Sequence, residues 1–294
     1  MPYANPEALV STEWLAGHLD SPDVRVVDGS WHMPQLKRDA RAEYEAGHIP
    51  GAVFFDIDDI ADSDSPLPHM LPSPEKFSAK VRKMGLGDGN RVIVYDGNGG
   101  FMAACRVWWM FRVFGHTDVA VLDGGLPKWM QEGRPVEEGA VKAGERHFTA
   151  RVNSLMVRDR DQVLANVKSG REQLLDARAS GRFEGTAPEP REGLRSGHVP
   201  GSLNLPFTEL LDPATQTVLP PDRLRAKFQA AGVELHRPVV TTCGSGITAA
   251  VLTLGLHLLG HKDLALYDGS WAEWGDPEGD TPVETGPAQA AAAG

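Results

Sequence analysis

The sequence predicts an α/β protein built as two tandem domains, each a mostly parallel sheet flanked by helices. Three observations carry that reading. Several phrases occur twice along the 294 residues, short Val/Ile/Leu-rich runs recur at strand length, and capped amphipathic segments fall between them. Strands that alternate with helices and read as continuous apolar runs suit parallel sheets covered on both faces.

The repeat is the strongest of the three. "EAGHIPGAVFFD" returns as "RSGHVPGSLNLP", which places His48 and His198 150 positions apart. "SPEKFSAKVRKMG" returns as "PPDRLRAKFQAAG" after 147 residues, and "VLDGGLPKW" as "LYDGSWAEW" after 145. An offset that drifts so little describes a tandem duplication with small loop changes. Halves of about 130 residues have ordinary domain size and are too long for solenoid units.

In the first half the strand candidates are 24–28, 52–56, 91–96 and 119–123; in the second they are 173–178, 202–206, 238–243 and 264–268. Between them, residues 73–85 carry a helix signature. Ser73 serves as N-cap, Pro74 sits at the first helical position and Gly85 ends the run, with Phe77, Val81 and Met84 on one face. The stretch 131–152 holds glycines and charges with little periodicity and reads as the connection. The expected organisation is therefore domain 1–138, linker 139–155, domain 156–284, and a flexible tail 285–294 ending in "AAAAG".

Composition narrows the function. A net charge of −11 argues against non-specific binding to nucleic acid or anionic membranes. No apolar run reaches the ~20 residues of a membrane span. The start "MPYANPEALVSTEW" lacks the basic and apolar regions of a secretory signal. Two cysteines without an export signal favour the reducing cytoplasm, and no Cys/His cluster has zinc-ligand spacing. No metal or cofactor is implied.

One cysteine stands where chemistry is expected. Cys243 closes the strand "PVVTTC", and a helix begins near Thr248. Between them Gly244, Ser245, Gly246 and Ile247 can curl so that backbone N–H groups converge on the sulfur, helped by the positive end of the helix. Such a cradle favours a thiolate or a sulfur-bearing adduct. Cys105, inside the apolar run "FMAACRVWWMF", reads as core. At the point matching Cys243, the first half carries Asp96, so one nucleophile serves the chain. His48 and His198 both sit in "GH(I/V)PG", one of them in the half without a cysteine, and read as structural residues at a turn. Trp271 reads as packing, since its counterpart is Leu126.

These residues resemble the rhodanese-type sulfurtransferases, and "CGSGIT" has the loop form of the 3-mercaptopyruvate sulfurtransferases. The likeness extends through "HIPGAVFFDID", "HMLP", "RVWWMFRVFGH", "LDGGLPKW", "GRFEGTAPEPREGLRSGHVPGSLNLPF" and "YDGSWAEWG". The resemblance implies two tandem rhodanese-like domains, the first without a catalytic cysteine. It implies a ping-pong transfer in which Cys243 takes sulfur from 3-mercaptopyruvate, releases pyruvate, and passes the sulfur to a thiol such as thioredoxin, or to cyanide. It assigns Arg182 and Arg191 to the donor's carboxylate and keto group, with Thr248 completing the cradle. It also implies that Asp58 orients His69, which shares a proton with the Ser245 hydroxyl; by sequence alone, Asp56 and Asp59 compete with Asp58.

Three other functions remain in view. A thiosulfate sulfurtransferase would use the same cysteine, but its relatives carry basic loop residues where Ser245, Gly246 and Ile247 are neutral. A phosphatase of related fold needs Cys-x5-Arg, and no arginine lies in Gly244–Leu259. A binding or redox-sensing module would have no need of the glycine loop around Cys243.

Overall fold

The computed structural model describes residues 2–99 and 102–288. Each half forms a five-stranded parallel sheet. The first contains β1 (Leu9–Val10), β2 (Val24–Asp28), β3 (Val53–Phe54), β4 (Arg91–Tyr95) and β5 (Val119–Leu122). The second contains β6 (Val157–Arg158), β7 (Gln173–Asp176), β8 (Leu203–Asn204), β9 (Val239–Thr242) and β10 (Leu264–Tyr267). Strand order is β1-β5-β4-β2-β3 and β6-β10-β9-β7-β8, the same path twice. The two-residue edge strands β1 and β6 have too little sequence to show a period, and neither was expected.

The helices of the first half are α1 (Thr12–Ala16), α2 (Ala40–Ala46), α3 (Ile57–Ile60), α4 (Pro74–Lys83), α5 (Met102–Val113) and α6 (Gly125–Gln131). Those of the second are α7 (Arg160–Ser169), α8 (Ser180–Glu184), α9 (Pro221–Ala230), α10 (Ala249–Leu258) and α11 (Ser270–Trp274). Helix α4 follows its sequence signals. Ser73 accepts the Lys76 N–H at 3.2 Å, Phe77 and Val81 are buried, and Gly85 turns left-handed at φ 73°. Removing such a cap costs about 1 kcal/mol.

The site depends on how the halves meet. Helices α5 and α10 follow the equivalent strands β4 and β9, and they pack against each other. One continuous core runs through both halves and includes Trp108, Phe111, Leu252 and Leu256, while a smaller core backs each sheet on its far side. The loops at the starts of α5 and α10 are thereby brought to one end of the interface. In each sheet the chain changes direction of winding beside β4 or β9, where an open parallel sheet forms its ligand crevice.

The connection is irregular but well packed. Glu137 exchanges backbone hydrogen bonds with His48 at 2.9 and 3.0 Å, Phe148 is buried near Phe77 and Phe111, and the Asn153 N–H bonds Val113 at 2.7 Å. At the far end, Glu284 pairs with His198 in the same way, and the Gly286 N–H donates to Glu184 at 2.8 Å. The chain is thus tied down as far as Gly286; of the expected tail 285–294, residues 289–294 lie outside the described residues. Among the described residues no helix is long and apolar enough to cross a membrane.

Candidate active site

Cys243 follows β9 directly and is 2% exposed. Its backbone is held by the first turn of α11. The Trp271 N–H donates to the Cys243 carbonyl at 2.9 Å, and Ser270 Oγ accepts the Cys243 N–H at 3.3 Å. Ser270 is itself left-handed at φ 51°, where the first half has a glycine, Gly125, at φ 56°.

The loop is shaped by its glycines. Gly246 turns at φ 77°, and a side chain there would place Cβ 2.8 Å from Arg106 Nη1. At Gly244 a Cβ would come 3.0 Å from Arg182 Nη2, so the arginine can lie against bare backbone. Ser245 and Ile247 are buried, and Thr248 leads into α10 without capping it by its side chain.

One expectation needs correction. No loop N–H bonds the Cys243 sulfur among the described residues. The N–H groups of Ala250 and Val251 turn back to the carbonyls of Ile247 and Thr248 at 3.2 and 3.1 Å. Those from Gly244 to Ala249 find no acceptor among the described residues. Buried N–H groups are nearly always paired, so a run of free ones in a tight loop is the form of an anion cradle.

The first half shows the same cradle filled. Asp96 ends β4 and is buried; its Oδ2 accepts the N–H groups of Ala103 and Ala104 at 3.1 and 3.0 Å, and its Oδ1 that of Asn98 at 3.2 Å. Burial pushes the Asp96 carboxyl above its ordinary pKa, and these three bonds oppose that rise. Cys105 lies fully buried one turn along α5, and burial drives its thiol well above the usual range, in keeping with a core residue.

Charged groups reach the cysteine from both halves. Arg191 Nη2 donates to Ser245 Oγ at 3.2 Å and lies 3.5 Å from His69 Nε2. Burial draws Arg191 below its ordinary pKa, while the nearby Cys243 charge opposes that change. His69 Nδ1 meets Asp58 Oδ1 at 2.7 Å, and the Trp31 indole donates to Asp58 Oδ2 at 2.9 Å. A carboxylate can only accept, which puts the proton on Nδ1 and leaves Nε2 facing Arg191. Burial would raise Asp58, but its bonds to His69 and Trp31 and the charge of Arg191 hold it below the usual carboxylate range.

The structure separates Asp58 from its neighbours. Asp56 caps α3, accepting the Asp58 and Asp59 N–H groups, and Asp59 pairs with Lys80. It also changes the expected relay. No hydrogen bond joins His69 to Ser245 among the described residues, because the Arg191 guanidinium stands between them.

Three residues of the site gave no sequence signal. The Glu189 side chain is buried and takes Arg178 Nη1 at 2.8 Å and Arg182 Nη2 at 2.6 Å, fixing the second arginine of the cleft. Trp31 meets the His69 ring edge-on at 4.7 Å, and Arg106 reaches the loop across the interface. His48 and His198 do prove structural: their Nδ1 atoms meet the carbonyls of Tyr44 and Phe183 at 2.8 Å. Trp271 packs under Arg178, 1% exposed.

The cleft over Cys243 is small, about 60 Å³, and its lining includes Trp31, Met33, Met102, Arg182 and Arg191. An open groove around Asp88 and His147 is far larger, about 510 Å³, but holds no nucleophile. Chemistry, not size, marks the site. Among the described residues no cluster could hold a metal ion.

Comparison with known proteins agrees with this architecture. The rhodanese-like domain matches the chain twice, at residues 11–132 and 159–276. The chain belongs to the rhodanese family. It is 44% identical over 274 residues to the human 3-mercaptopyruvate sulfurtransferase, covering 91% of each chain. The Escherichia coli K12 3-mercaptopyruvate sulfurtransferase is 44% identical over 276 residues, covering 94% of this chain and 97% of its own. The rat thiosulfate sulfurtransferase is 46% identical over 275 residues, covering 91% of each. The crystal structure of SseA from Escherichia coli, described as a 3-mercaptopyruvate sulfotransferase of rhodanese fold, overlays with a TM-score of 0.83. That match has 42% identity and covers 90% of this rhodanese chain and 98% of the other. Relatives named for either donor are equally close, so the donor must be argued from the site.

Proposed function

We infer that this protein is a sulfurtransferase that moves sulfur from 3-mercaptopyruvate to a thiol through a persulfide on Cys243. The carrying observation is the run of N–H groups from Gly244 to Ala249 that find no acceptor among the described residues, beside a cysteine, Cys243, that lines a cleft. An anionic sulfur is the ligand such a loop suits, whether a thiolate or the outer atom of a persulfide.

The steps balance without a cofactor. The Cys243 thiolate attacks the donor sulfur, forming an S–S bond as the C–S bond breaks. The bonding electrons leave as the enolate of pyruvate, which takes a proton at carbon. An acceptor thiolate then attacks the outer sulfur and frees Cys243. Splitting the transfer in two replaces one hard step by two easier ones. Arg182 and Arg191 serve the donor's carboxylate and keto oxygen, the guanidinium fork matching such oxygens. His69, oriented by Asp58, and the Ser245 hydroxyl lie on either side of Arg191, placed to receive and return the proton that the enolate needs.

The donor follows from charge. Ser245, Gly246 and Ile247 are neutral, so the cations of the cleft are Arg182 and Arg191 and none belongs to the loop around the sulfur. That suits a donor whose negative charge is on a carboxylate several bonds away from the transferable sulfur; thiosulfate shares two charges between the transferable sulfur and the sulfonate bonded to it. Measuring kcat/KM for both donors tests the choice: mercaptopyruvate should be preferred, and a preference for thiosulfate overturns it. Thioredoxin as acceptor and the cytoplasm as compartment fit a cysteine that must stay reduced, although one Arabidopsis thaliana relative is named as mitochondrial.

A further inference from the structure

Arg106 belongs to α5, in the half that lacks a catalytic cysteine, and is fully buried. Its guanidinium nevertheless ends beside the cysteine loop of the other half. Nη1 pairs with Asp268 Oδ1 at 2.7 Å and donates to the Gly246 carbonyl at 3.3 Å. Nη2 donates to the His69 carbonyl at 2.5 Å. The second oxygen of Asp268 accepts the Leu71 N–H at 2.8 Å, so the pair also grips the chain just beyond His69.

Both segments it holds have unusual backbones. His69 is left-handed at φ 63°, which a residue with a side chain keeps only where its surroundings impose it. Gly246 is left-handed at φ 77°, at the apex of the loop that carries Ser245. A buried ion pair adds little net stability over an apolar pair of similar volume, so simple adhesion between the halves is a weak reason for this one.

We propose that Arg106 is a positioning residue for sulfur transfer: it clamps the His69 turn to the apex of the cysteine loop and so fixes the imidazole opposite Arg191 and Ser245. The planar guanidinium serves one carboxylate and two carbonyls from two nitrogens held in one rigid fork, whereas a lysine ammonium would have to reach all three from a single point on a flexible stem. The first domain thereby completes a site whose nucleophile lies in the second.

This proposal rests on the sulfurtransferase reading, and the test separates the two. The steady-state transfer of sulfur from 3-mercaptopyruvate to cyanide is measured for the wild type, Arg106→Lys, His69→Ala and the double variant, each with its thermal unfolding. If Arg106 acts through His69, Arg106→Lys lowers kcat about tenfold with little change in KM, and less than about threefold once His69 is already absent. Equal losses in both backgrounds overturn the proposal, since a general loosening of the interface multiplies rather than cancels. Should Arg106→Lys not fold, Asp268→Asn takes its place in the cycle; if neither folds, the pair is structural and the proposal falls. A wild type inactive with every donor would overturn the sulfurtransferase reading instead. In that event, the His69 ring signals in a 15N-labelled sample decide the positioning role: they move on Arg106→Lys if it holds and stay in place if it does not.

Discussion

Asp96 and Cys243 end equivalent strands, β4 and β9, in two sheets of identical order, and the loops behind them treat their N–H groups oppositely. Asp96 places its own carboxylate on the cradle, bonded to Asn98, Ala103 and Ala104. Cys243 leaves the N–H groups of its loop without acceptors among the described residues. One half is a closed copy of the site and the other an open one. Replacing Asp96 by Ala should therefore leave two buried donors and one half-buried donor without acceptors and cost about 2–3 kcal/mol in denaturant unfolding. It should leave kcat for sulfur transfer within about twofold, since Asp96 touches no reacting group; a much larger loss would place the first half's loop in the chemistry.

Arg191→Ala removes a contact to the donor's oxygens and also the group between His69 and Ser245. Mercaptopyruvate kcat/KM should fall by about a hundredfold, the scale of a lost charged hydrogen bond of 1.5–3 kcal/mol. Thiosulfate turnover should fall far less. Equal losses for the two donors would remove the carboxylate contact from the account.

Trp31→Phe keeps an aromatic ring against His69 and removes the indole N–H that Asp58 accepts at 2.9 Å, together with part of the ring area. That bond helps hold the Asp58 carboxyl low, so without it the group takes up a proton at higher pH. The acid limb of the kcat/KM profile should move to higher pH while Tm changes little. An unmoved limb would mean that Asp58 does not govern the His69 imidazole.

Asp123 tests the interface instead of the chemistry. It accepts the Val218 N–H from the other half at 2.9 Å, and burial pushes its carboxyl up to about 6. The folded protein thus binds this proton more tightly than the unfolded chain, so this group's contribution to stability is full below about pH 4 and is lost as pH rises through 6. Asp123→Asn keeps an acceptor for Val218 and removes the charge. Its Tm should exceed the wild type's by about 2 °C at pH 7.5, for roughly 1 kcal/mol, with the gain gone near pH 4. A variant less stable at pH 7.5 would contradict this.

Local signals made much of this readable from the sequence. The repeat located both sheets, and a strand, a cysteine and a glycine loop in direct succession located the loop that lines the cleft at Cys243. Contacts between distant residues were hidden. Arg106 and Asp268 lie 162 positions apart, and nothing in "AACRVWW" marks an arginine whose partner is in the other half. Glu189 read as one acid among many until Arg178 and Arg182 closed on it. The choice among Asp56, Asp58 and Asp59 depended on which carboxylate faced His69, a matter of three dimensions. The insertion of Arg191 between His69 and Ser245 was equally invisible, because motif spacing orders residues along a chain without ordering their side chains in space.

The central claim is that Cys243 takes up sulfur, and the mass of the intact protein tests it most directly. After brief incubation with 3-mercaptopyruvate and no acceptor, the protein should gain one sulfur atom, mapped to the peptide that carries Cys243, and release one equivalent of pyruvate. The gain should vanish on adding cyanide and be absent from Cys243→Ser. A protein that releases no pyruvate and keeps its mass, or that carries the sulfur on Cys105, would contradict the account.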